Sequence, residues 1–62
     1  MITNREFRDT INQLLKVIPP QVLADQLSVS RSNILRWADG VNLPHHILRH
    51  RIIEFAEKKN AQ

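Results

Sequence analysis

The chain has no cysteine, a single glycine, and no apolar run longer than a few residues. Without cysteine it can form neither a disulfide staple nor a thiolate metal site, which fits a reducing cytoplasm. The short apolar runs leave no membrane span. The opening MITNREFRD lacks the uninterrupted hydrophobic stretch that a signal peptide needs. One glycine and no Ser/Pro-rich linker point to a compact helical unit without internal repeats. At 62 residues the chain reads as one domain, residues 1–62. That is near the lower limit for an unaided core, because a chain this size buries only about 60% of its unfolded surface.

What is present begins with charge. The formal net charge is +3 and it is unevenly placed. In residues 1–30, Arg5, Arg8 and Lys16 are balanced by Glu6, Asp9 and Asp25. The whole excess lies in residues 31–62, where Arg31, Arg36, Arg49, Arg51, Lys58 and Lys59 outnumber Asp39, Glu54 and Glu57. A polyanion is the natural partner for such a half. A solvated surface explains the same charge equally well, so the charge supports a motif and does not replace one.

The flanks predict a helical scaffold. Thr3-Asn4-Arg5-Glu6 has the pattern of a capping box, with Ile2 and Phe7 placed for a hydrophobic staple. Phe7, Ile11, Leu14, Leu15 and Ile18 then repeat as the stripe of one amphipathic helix. Pro19-Pro20 ends it, and Pro20 suits the first turn of the next helix, where no amide donor is needed. After Pro44 a last helix runs to about Lys58, with Leu48, Ile52 and Phe55 as its inner face. The same wheel puts Ile53 on the far side and Ile47 at the margin, which makes them candidate dimer contacts.

Between these flanks lies PQVLADQLSVSRSNILRWADGVNLP, residues 20–44. Leu23, Ala24 and Leu27 give one short apolar stripe, Ser28-Val29-Ser30 a polar turn, and Ile34 with Trp37 a second stripe. Ala24 stands where two steeply crossing helices must touch. Ser30 can cap the second helix, with Val29 and Ile34 as its staple, and Gly40 can close it at positive φ. This segment resembles the helix-turn-helix of the Cro and phage-repressor family (the XRE-type group), with the motif at about residues 20–38. Ala24 matches the family's small residue, Val29 and Ile34 its aliphatics, and Trp37, Gly40 and Pro44 its W-x-x-G-x-x-x-P run. Two departures from the pattern matter. Ser28 replaces the turn glycine, at a cost on the order of 1 kcal/mol if the residue is left-handed. The segment Gly40-Val41-Asn42-Leu43 lacks the Lys or Arg that many relatives use to hold phosphate.

The resemblance implies an all-α, compact four- to five-helix bundle, a lambda-repressor-like DNA-binding domain. It implies that the second motif helix, about residues 30–38, lies in the major groove with its first residues facing base edges. Carried onto this sequence, Arg31, Ser32 and Arg36 read bases. An arginine can donate two hydrogen bonds to guanine O6 and N7. Gln21, Ser30, Asn33, Asn42, His45 and His46 are phosphate or secondary contacts, and Trp37 is core. Leu35 shares the exposed face and could meet a thymine methyl or cover the first motif helix.

His46 and His50 stand one helical turn apart, beside His45. With no cysteine, no third carboxylate ligand nearby and no Glu of an HExxH pattern, no metal site is expected. No nucleophile spacing is visible, and so small a unit has little room for a ligand pocket. The expectation is a non-enzyme with no cofactor. It would be a transcriptional regulator that binds a two-fold operator in duplex DNA as a homodimer, a state that the operator itself could be needed to form. Its size suits a phage or mobile element, and its place would be the nucleoid of a bacterial or phage-infected cytoplasm. The alternative is a protein-interaction module, such as an antirepressor or polymerase-binding factor, whose arginines face acidic residues.

Overall fold

Thr3 starts the first helix with one half of its predicted capping box, and no bond from its own amide back to the Glu6 carboxylate forms. Its backbone is extended (φ −75°, ψ 161°), and its hydroxyl oxygen accepts the Glu6 amide at 3.1 Å. The computed structural model describes residues 2–60, and among these it has four helices and no strand. They are α1 (Asn4–Leu15), α2 (Pro20–Leu27), α3 (Arg31–Ala38) and α4 (His46–Asn60). None is long and apolar enough to cross a membrane.

Burial follows the periodicity closely in α1. Phe7, Ile11 and Leu14 are buried, while Leu15 and Ile18 pack against the same cluster at its edge. Pro20 opens α2, where its missing amide costs nothing. Leu23 and Ala24 from α2 meet Ile34 and Trp37 from α3 in the core. The Phe7 and Trp37 rings lie edge to face, 5.7 Å apart at 68°, a geometry that suits their quadrupoles. Helix α1 packs against each of the other three, and α2 packs against α3. The resulting body measures 26 × 24 × 18 Å, and among the described residues no polar or charged one is buried within it.

The last helix differs from its expected wheel. Ile52 and Ala56 are its buried pair, with Leu48 and Phe55 half-buried beside them. Alanine carries little weight in a stripe of large apolar residues, so the periodicity passed over Ala56. The inward line is therefore rotated toward Ala56. Ile53 shifts with it and is half-buried rather than on the outer face.

Three left-handed residues punctuate the connections. Ser28 has φ 58° and ψ 41°, and the next amide, that of Val29, returns to the Ala24 carbonyl at 3.0 Å. Gly40 has φ 80°, a conformation that glycine adopts without a Cβ penalty. Asn42 has φ 49°, which places its carbonyl to accept the Trp37 indole N–H at 3.1 Å. Arg49 then ties the loop down. Its Nε donates to the Pro44 carbonyl at 2.7 Å and its Nη1 to the Ile2 carbonyl at 3.3 Å, while the guanidinium lies 6.0 Å from the Phe7 ring centre. One half-buried arginine thus joins α4 to the loop before it and to the segment before α1.

Candidate nucleic-acid interface

The inward side of α3 decides what its outward side can be. Ile34 and Trp37 are sunk in the core, which leaves Arg31, Ser32, Leu35 and Arg36 exposed on the opposite face. Residues four apart on a helix are neighbours. Ser32 and Arg36 therefore share one line, and Arg31 and Leu35 share the line beside it. The eight residues of α3 make a rod about 12 Å long. A rod of this size with two arginine forks and a hydroxyl on one face can reach into a groove and donate to base-edge acceptors.

The start of α3 is fixed by Ser30, whose Oγ accepts the Asn33 amide at 3.2 Å. That bond uses a lone pair and leaves the hydroxyl hydrogen free to donate outward. Asn33 is half-buried. Gln21 is exposed in the first turn of α2, but its carboxamide N–H donates to the Asp25 carboxylate at 3.0 Å. A phosphate taking that donor would have to displace Asp25 and would meet its negative charge.

The structure scatters the remaining predicted contacts. Asn42 is exposed in the α3–α4 loop and contributes its backbone carbonyl to Trp37. His45 and His46 are exposed at the start of α4, with ring centres 5.9 Å apart. Among the described residues no three His, Asp or Glu side chains gather at one point. Ile47 is 70% exposed, whereas Ile53 lines a groove with Leu14, Val17, Ile18 and Ala56. Six residues apart, the two isoleucines lie about 120° apart around the helix and do not share a face.

Two features escaped the sequence. Val17, just past the end of α1, is 77% exposed, more than either isoleucine. The periodicity carries the first helix on to Ile18, whereas α1 ends at Leu15, so a helical wheel does not describe Val17 in the turn that follows. Arg5 and Arg8 looked like solvated positions balanced by nearby acids. The fold carries them to the far end of α3, beside Gly40 and Leu43. Only the packing of α1 on α3 reveals that neighbour. Compared with known proteins, the chain matches no family model, no curated protein and no solved structure.

Proposed function

We propose that this chain is a sequence-specific, duplex-DNA-binding transcriptional regulator of the Cro/repressor type, and not an enzyme. The observation that carries the reading is the division of α3. Ile34 and Trp37 are taken up by the core, and the face left over presents Arg31, Ser32 and Arg36 together, with Leu35 among them. The left-handed Ser28 between α2 and α3 supports it, because that is the conformation for which the resembling family uses glycine. In this reading α2, a left-handed turn and α3 form the helix-turn-helix. The α3 helix enters the major groove, the arginines contact guanines, and Ser30, Asn33 and the loop before α4 face the backbone.

A single helix reads about half a turn of groove, too little to select one site in a genome. Two copies on a two-fold operator would read half-sites about 34 Å apart. The last helix supplies the seam through Ile53 or Ile47. Because these lie on different faces, Ile53→Glu and Ile47→Glu separate the choices: one of them abolishes cooperative binding to a palindromic site. A wild type that saturates its best site as a monomer in sedimentation would rule out the dimer.

Binding-site selection from random duplex DNA is the direct test. Arg31→Ala and Arg36→Ala should each weaken binding to the selected site by roughly 1–3 kcal/mol and relax preference at one base position. If both variants keep wild-type affinity and preference, α3 is not the reading helix. A wild type that selects no sequence and shows no salt-dependent binding to random duplex would favour the protein-interaction module instead.

A further inference from the structure

The segment Gly40-Val41-Asn42-Leu43 carries no basic residue of its own, yet the fold does not leave it without one. A shallow cleft of about 340 Å³ lies beside it, lined by Asn4, Arg5, Arg8, Gly40 and Leu43. One wall is the outer face of the first turns of α1, and the other is the turn that leaves α3. The two arginines stand at positions three apart on α1, so both face this side of the helix. A Cβ added to Gly40 would sit 3.4 Å from Arg8 Cδ and 4.0 Å from its Nη1, so the arginine lies directly over the glycine backbone.

From this arrangement we infer that Arg5 and Arg8 form a phosphodiester-binding site, supplying across space the cationic contact that the loop lacks. The inference rests on the DNA-binding reading and deepens it by naming where the backbone is held. Guanidinium forks suit phosphate oxygens, and the Asn4 carboxamide adds a neutral donor at the same rim. Two carboxylates lie nearby. Asp9 stands 4.0 Å from Arg8 Nε, with both side chains about half exposed or more, and an exposed pair at that distance holds its arginine only weakly. Asp39 adjoins Gly40 in the chain and is exposed. Neither closes the cleft. The site lies at the C-terminal end of α3, so a strand held there would fix the helix's depth and tilt in the groove without reading any base.

The test compares the double variant Arg5→Gln/Arg8→Gln with Lys58→Gln/Lys59→Gln, which removes the same charge from the end of α4. Affinities are measured by fluorescence anisotropy for the selected duplex and for random duplex between 50 and 200 mM salt, after circular dichroism has verified that both variants fold. Loss of two phosphate contacts should lower the slope of log affinity against log salt by about 1.8. The arginine variant should lose that slope on both duplexes, with unchanged base preference, while the lysine variant keeps most of it. An arginine variant with the wild-type slope, or one matched by the lysine variant, overturns the site and leaves the role of α3 standing. A wild type that binds neither duplex overturns both.

Discussion

Asn12 and Ala38 stand 26 residues apart in the chain, and a 3.1 Å hydrogen bond from Asn12 Nδ2 to the Ala38 carbonyl joins them. The same amide nitrogen also donates to the Arg8 carbonyl one turn back, at 3.1 Å. A side chain on the rim of α1 therefore caps the end of α3, where the last carbonyls have no partner in their own helix. Asn12→Ala should lower stability by about 0.5–1.5 kcal/mol, the usual net worth of such a bond at an accessible site. Urea titration would check it, and a midpoint equal to wild type would mean that water serves Ala38 as well.

At Ser28 the backbone is left-handed, and a side chain in that region costs on the order of 1 kcal/mol relative to glycine. Ser28→Gly should therefore raise the melting temperature, with a gain of up to about 1 kcal/mol. Glycine also loosens the unfolded chain, so the full strain is not recovered. A lower melting temperature would show that serine is the better residue in this turn.

Ala24 is fully buried where α2 meets the core. Ala24→Leu inserts three carbons into a filled site, and overpacking of this kind costs typically 1–3 kcal/mol. In so small a domain that is a large share of the whole stability. Calorimetry should show a clear fall in melting temperature, and no change would mean that α2 and α3 have room between them.

Arg49 is held by its shape as well as its charge, through two carbonyls and the Phe7 ring. Lysine keeps the charge but has neither the fork nor the flat face. Arg49→Lys should lose about 1–2 kcal/mol, nearly as much as Arg49→Ala, because both bonds go. Rescue by lysine in a chemical denaturation series would point to charge alone.

Much of the helix content was legible because it is written locally. Thr3 and Ser30 cap, Pro20 opens, Gly40 closes, and each acts on residues within a turn of itself. The buried stripe of α1 and the Ile34–Trp37 pair follow from period alone. What could not be read depends on contacts between distant segments. Arg49 looked like surface charge until Pro44 and Ile2 came within its reach. Ala56 was too small to register in a stripe. Of the candidate site, the exposed face of α3 was legible as the complement of its core face. The meeting of Arg5 and Arg8 with Gly40 was not, since it exists only once α1 lies across α3.

The chain has one tryptophan, Trp37, and it is 4% exposed against the Phe7 ring. Its intrinsic fluorescence therefore comes from a single place, the seam between α1 and α3. Opening that seam would admit water to the indole and move the emission to longer wavelength, with no second fluorophore of its kind to blur the change. Circular dichroism follows all four helices, whereas this emission follows one seam. If the two curves coincide in a denaturant titration, the seam opens only when the whole domain does. If the emission shifts first, α1 detaches while helices persist, and the unlabelled protein would report it.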